Sequence, residues 1–405
     1  MGLRAAEPAT GATLDPTLQD GSHSVTIAAL MDRRSVLGEG AFARVADGVL
    51  AANSRTAEAE LRAAILRSEA TQKNWLPTLG PQVSLTNMGS IVAQMFVDQV
   101  LFDNGGKKAE REMARADVEV AAVALAADTN KRVLTALDLY LTAEAMDARA
   151  AVSAAGITRM SRFEYVMSER VKGGVTDRAD WQVVVQKLNQ MRADQARDLA
   201  AAEAARSELA AMSQGSLAGL SGTSPIATPP LEVQMLNVMK AEAEARRAVA
   251  TARAARAGFL PGLSARGTLG DGADGLGLTV AAPNGLGFGT AASLQAIEAE
   301  EQAANARVGQ AREDADRRLR GLEGQLAALV EENSQAQLIA RQAAANFDAY
   351  DAQLRAGRRA VPDVISIFET KIGAERAAAT LPFEIDKLRL EIAAERGALV
   401  EGGKI

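Results

Sequence analysis

Leu354-Arg355-Ala356-Gly357-Arg358-Arg359-Ala360-Val361-Pro362-Asp363 interrupts two long, alanine-rich helical patterns. An earlier stretch, Val171-Lys172-Gly173-Gly174-Val175-Thr176-Asp177-Arg178-Ala179-Asp180, has the same layout. In both, a glycine (Gly174, Gly357) is followed six positions later by an aspartate (Asp180, Asp363). A second marker repeats at nearly the same offset: Trp75-Leu76-Pro77-Thr78-Leu79 recurs as Phe259-Leu260-Pro261-Gly262-Leu263. Two unrelated markers repeating at one spacing mean an internal duplication. Each copy reads as a lead-in helix, a β-hairpin, a long helix, a glycine turn and a returning helix.

The first copy spans residues 35–212 and the second 231–400. Residues 1–34 show no apolar period and read as a flexible or surface-laid arm; 213–230, rich in Ser, Gly and Pro, reads as a linker. In the first copy Phe42, Val45, Val49, Leu61 and Ile65 recur at helical spacing, with Asn53-Ser54 offering a break, until Pro77 ends the helix. The hairpin of 79–103 follows: Leu79, Pro81, Val83 and Leu85 alternate with Gly80, Gln82, Ser84 and Thr86, and Ile91–Phe102 forms the second strand after a turn at Asn87-Met88-Gly89-Ser90. Asp103 or Asn104 is placed to cap the next helix. No proline interrupts 107–171, and Met113, Val120, Ala127, Leu134 and Leu141 share one heptad position. About 65 residues at 1.5 Å each make a rod of roughly 95 Å. No compact domain needs such a helix.

The second copy repeats the plan. Leu231–Gly258 leads in, and the hairpin of 263–289 has Leu276, Leu278 and Val280 alternating with Gly277, Thr279 and Ala281. A proline-free helix runs from Thr290 to Arg355, the tip turn is 354–363, and the return helix runs to Val400 with a kink expected at Pro382.

Composition narrows the function. The chain has 405 residues, a net charge of −6, 3% aromatics, no cysteine and one histidine, His23. Basic and acidic residues alternate along the helices and leave no basic footprint for nucleic acid. Histidine triads and thiolate or multi-histidine metal sites are excluded. No run of 18 apolar residues encodes a transmembrane helix. The first residues, Met1–Pro8, show no basic region leading into an apolar one. Gly270-Asp271-Gly272-Ala273-Asp274-Gly275 matches a dinucleotide fingerprint by letter, but a strand rather than a helix N-terminus follows, so it reads as a hairpin turn. Asn104-Gly105-Gly106-Lys107-Lys108 lacks P-loop spacing. Glu298/Glu300/Glu301 and Glu331/Glu332 read as solvated helix faces. Neither an enzyme nor a cofactor is expected.

The arrangement of hairpin, long helix, glycine turn and return helix, repeated twice, resembles the TolC-like outer-membrane efflux family over about residues 39–400. Four features carry it: Phe42 to Asn53 as an opening helix, the aromatic-Leu-Pro junctions at Trp75/Pro77 and Phe259/Pro261, the strand exit Val100-Leu101-Phe102-Asp103-Asn104-Gly105-Gly106, and the paired glycine turns.

The resemblance implies a mainly α protomer with two β-hairpins. Three copies would share one 12-stranded β-barrel in the outer membrane and extend an α-barrel into the periplasm. It implies a passive exit duct for efflux or type I-like secretion, energised by an inner-membrane transporter through a periplasmic adaptor that docks at the glycine turns. Trp75 and Phe259 would lie near the periplasmic membrane interface. At the tip, Arg359 matches the arginine of the family's closing tie, Asp180 its acidic partner and Asp363 a ring aspartate. Leu354 stands where the family's assisting aromatic stands and Ser366 where a second ring aspartate stands, which implies a weaker, less cation-selective gate. A soluble coiled-coil scaffold is the rival reading of the same periodicity; its hairpins would carry a polar face toward water.

Overall fold

A computed structural model of the chain describes residues 24–52, 56–85, 91–215, 217, 219–228, 233–270, 275–285 and 287–405. The expected turns at Asn87–Ser90 and Asp271–Asp274 lie outside these residues. The elements follow the duplicated plan: helices α1 (Val25–Met31), α2 (Ala41–Ala51) and α3 (Thr56–Gln72), strands β1 (Thr78–Leu85) and β2 (Ile91–Phe102), then helices α4 (Gly106–Lys172) and α5 (Arg178–Met212). The second copy contributes α6 (Leu236–Ala257), β3 (Gly262–Gly270), β4 (Gly275–Ala281), α7 (Thr290–Arg355) and α8 (Val361–Glu395).

The 67 residues of α4 extend about 100 Å. Ala, Leu, Glu and Arg supply the propensity, and no proline interrupts the hydrogen-bond ladder. Asp103 starts the helix by accepting from the backbone N–H groups of Gly105 and Lys107. This helix is the spine. Its first half packs against α3 and α6 around Leu61, Val118, Val123 and Met239. Its second half packs against α5 and α8, and α7 lies against α6 and then α8. Their contacts place the helices side by side in the order α3–α4–α6–α7 near the sheet and α5–α4–α8–α7 toward the glycine turns. Helix α8 continues through Pro382 to Glu395.

At mid-length a belt of Phe42, Val45, Val49, Leu137, Leu141, Leu390 and Leu399 closes a second core. Of the two readings of residues 1–34, flexible or surface-laid, the described residues follow the second: α1 lies on the spine and buries Ile27 and Leu30. The 213–230 linker is laid onto the belt, where Leu37 bridges to Ile226 and the Tyr140 hydroxyl donates to the Gly222 carbonyl at 2.7 Å. Both segments are polar in composition but carry isolated apolar residues that find shelter on the spine. Arg33 fastens the arm, donating to the carbonyls of Arg396 and Gln234, the latter at 2.6 Å. Burial pushes its pKa down to about 10, still far above neutral, so its charge is retained.

The four strands form one antiparallel sheet in the order β1-β2-β3-β4. Among the described residues no strand pairs with the outer edges of β1 and β4.

Candidate functional site: the sheet and the glycine turns

The register settles which residues share a face of the sheet. Leu79 opposes Val97, Pro81 opposes Met95 and Val83 opposes Ala93; across the next pairing Met95 opposes Leu269 and Val97 opposes Gly267. On β4, Leu276, Leu278 and Val280 oppose Gly267, Ala265 and Leu263. One face is therefore almost wholly apolar and, in the single chain, uncovered: Leu276 is 87% exposed and Leu79, Leu278 and Val280 are each about 70% exposed. The opposite face carries Gln82, Gln94, Phe96, Asp98, Ser264, Arg266, Thr268 and Thr279, together with glycines. Gly80 lies beneath Phe96, whose ring would have to shift for a Cβ there, which would stand 2.7 Å from it. A water-soluble sheet buries its apolar face and exposes its polar one. Here the apolar face has no cover.

Beneath the sheet lie the two junctions. Trp75 is 60% exposed and Phe259 is half-buried, and each precedes a strand by a few residues. The prolines at 77 and 261 end the helical ladder between them and the strands. Gln99 donates to the Trp75 carbonyl at 2.7 Å and Asn104 to the Pro261 carbonyl at 2.9 Å, so each junction's freed acceptor is satisfied from a neighbouring segment. Those two amides gave no signal in the sequence, because their partners are backbone atoms distant along the chain.

At the other end the two turns share one geometry. Val175 N–H donates to the Arg170 carbonyl and Gly174 N–H to the Val171 carbonyl; Arg358 and Gly357 make the equivalent bonds to Gln353 and Leu354. Both are Schellman motifs, which need a left-handed residue after the helix. Gly174 (φ 70°) and Gly357 (φ 72°) fill that position. Asp177 caps α5 through the Ala179 N–H. Asp180 and Asp363 fall in the first turns of α5 and α8, where a carboxylate also complements the helix dipole.

The structure does not bring Arg359 and Asp180 into an ion pair within one chain, among the described residues. The Arg359 Nε donates to Gln353 at 3.0 Å and the guanidinium lies 4.5 Å from the Tyr350 ring centroid. An aromatic therefore does attend this arginine, one helical turn before Leu354. Leu354 instead packs at the margin of a core made by all four helices: Met160, Phe163, Met167, Val184, Leu188, Phe347, Val364 and Phe368. Within that core Phe368 meets Phe163 edge-on at 5.9 Å and Phe347 at 5.0 Å. Arg159 on α4 helps to join the two helical hairpins here: it pairs with Asp351 and lies over Phe163 and Phe347 at 5.2 and 5.8 Å. Asp351 is nearly buried and also holds Arg355. Farther from the turns, buried Asp198 on α5 accepts from Arg149 on α4 and from Arg376 on α8 at 2.8 Å. Such charges read in sequence as solvated faces; only helix pairing shows that they are enclosed.

No helix among the described residues is long and apolar enough to cross a membrane, and no acidic or histidine cluster among them could hold a metal ion.

A four-stranded sheet with one apolar face, set on a layer of helices about 100 Å long that ends in twin glycine turns, is the fold of TolC-like outer-membrane channels. The chain is similar to a membrane protein from Pseudomonas aeruginosa (16% identity, TM-score 0.78, covering 99% of this chain and 97% of that one). It is also similar to the outer membrane protein VceC of Vibrio cholerae (16%, 0.73, covering 88% and 96%). A third likeness is to the CmeC outer membrane channel of Campylobacter jejuni (11%, 0.74, covering 99% and 95%). No protein-family model matches the chain, and no curated protein matches it in sequence. At these identities the likeness is one of fold.

Proposed function

We propose that the chain is one subunit of a homotrimeric exit duct in the outer membrane, passive in itself. Cargo would be driven through it in efflux or type I-like secretion by an inner-membrane transporter coupled through a periplasmic adaptor. The observation that carries this reading is the sheet: an uncovered apolar face, a polar reverse face and two bare edges. Lipid covers the first, a water-filled lumen suits the second, and closure with other copies removes the third. Strands of 8, 12, 9 and 7 residues approach the length that spans a membrane when tilted. The helical layer has the same incompleteness. Of the described residues of α7 only Ala304, Ala315, Leu322, Phe347 and Asp351 are buried, while Val330, Leu338 and Ile339 stand exposed. On the opposite edge α5 exposes Val183 and Leu199. Copies placed edge to edge cover both. Against the soluble-scaffold reading stands the apolar face, which would meet water.

The glycine turns would be the periplasmic mouth, with Arg359 and Asp180 tying neighbouring subunits and Asp363 contributing a ring of charge. Arg359 is already held in place by Tyr350, so its head is presented at the turn rather than free to wander. Exposed pairs contribute about 0–1 kcal/mol each, enough in three copies to bias a closed–open equilibrium without threatening the fold. The test is single-channel recording in planar bilayers. Arg359→Ala and Asp180→Ala are expected to raise conductance at unchanged trimer stability, and Asp363→Asn to change cation selectivity instead. Parental conductance in both alanine variants, at low and high salt, would remove the tie; absence of any channel in the parent would remove the duct.

A further inference from the structure

Among the described residues of the four strands only two side chains are charged, Asp98 on β2 and Arg266 on β3. They are direct register partners, and both lie on the polar face. The Arg266 Nε and Nη2 reach the same Asp98 oxygen at 3.0 and 2.8 Å, and the guanidinium lies 5.9 Å from the Phe96 ring centroid. Across the sheet this row is completed by Thr78 and Gly277, both uncharged. The two members are not equally presented. The carboxylate side chain is 19% exposed and the guanidinium side chain 59%, so the arginine covers the aspartate and meets the open side.

We propose that the Asp98–Arg266 pair forms the charge-selective ring of the barrel lumen, presenting a positive surface over a masked negative one. The inference rests on the channel reading, which makes this face the inner wall. Twelve strands about 4.8 Å apart and tilted about 40° enclose a cylinder of about 12 Å backbone radius, which side chains narrow further. Charges on the wall are felt over about 8 Å at physiological salt and about 3 Å at 1 M. Among the described residues of the wall, three exposed guanidinium groups stand over three less exposed carboxylates, so the ring has no net charge and its near field at low salt takes its sign from the arginines. The ring lies four residues into β3 from its periplasmic end, far from the glycine turns. It acts as a second filter, independent of the mouth, and favours anionic over cationic small cargo.

The test is the potassium-to-chloride permeability ratio, measured from reversal potentials of the full-length protein across planar bilayers. Arg266→Gln unmasks Asp98 and is expected to raise the ratio at least about twofold in 0.1 M salt, with the difference shrinking at 1 M. Asp98→Asn leaves three unpaired arginines and is expected to lower it by a similar factor. A pair that only fastened β2 to β3 would be rescued by exchanging its members. The double variant Asp98→Arg with Arg266→Asp is instead expected to conduct with a ratio displaced from the parent's, because carboxylate and guanidinium trade places at unequal exposures. The double variant also decides the matter if the single variants fail to assemble. Conducting variants with the parental ratio at 0.1 M would overturn the ring while leaving the channel in place. A parent that forms no channel at all would instead contradict the reading on which the ring rests.

Discussion

Leu278→Arg is expected to abolish insertion into the outer membrane, while Thr279→Arg leaves trimer yield close to that of the parent. The two positions are adjacent on β4 but lie on opposite faces of the sheet. Leu278 opposes Ala265 on the apolar side, and Thr279 opposes Ser264 on the polar side. An arginine on the lipid face of a barrel costs about 2–4 kcal/mol at the bilayer midplane, and the proposed trimer would incur that cost three times. On the luminal side the same arginine remains hydrated. Heat-modifiable mobility on gels and membrane fractionation read the outcome directly. Equal loss in the two variants would mean that the assigned lipid face is wrong; equal tolerance would mean that neither face meets lipid.

Phe368→Ala is expected to loosen the turn-side end of the helical layer without touching the sheet. The ring is 2% exposed and sits between Phe163 and Phe347, so its removal opens a cavity that four helices share. Truncations of this kind cost about 3–5 kcal/mol. The loss is local because the cores at mid-length and near the sheet share none of these residues. Hydrogen exchange should therefore quicken by about two to four orders of magnitude, as that energy implies, over the segments that line this core on α4, α5, α7 and α8. Exchange in β1–β4 should stay at the parental rate. Uniform acceleration across the chain would show that the layer unfolds as one unit, against the division into separate cores.

The duplicated plan was legible because its signals are local. Glycines at the left-handed turn positions, prolines that end helices at 77 and 261, and proline-free helical runs do not depend on distant partners. The period-two alternation on β4 likewise named Leu276, Leu278 and Val280 as one face, and the register places them together. What the sequence hid depends on packing across the layer. Tyr350 meets Arg359 only because the Schellman turn folds the chain back, so a search confined to the position of Leu354 missed it. Asp198 and Asp351 sit in helices whose charges alternate, and nothing local separates an enclosed carboxylate from a solvated one. Where the end of the N-terminal arm and the 213–230 segment lie was hidden for a related reason. A few apolar residues in polar surroundings, such as Ile27, Leu30 and Ile226, acquire a partner only when the spine is present. The Arg359–Asp180 pair joins turns that one chain does not bring together, and it stands as a proposal about neighbouring copies.

Assembly tests the account most directly, since an uncovered apolar sheet face, two bare strand edges and a half-bare α7 all require partners. The measurement is the mass of the full-length protein extracted in detergent, by native mass spectrometry. The account predicts a species of three chains of 42.3 kDa each that persists on dilution. A stable monomer or dimer would contradict it.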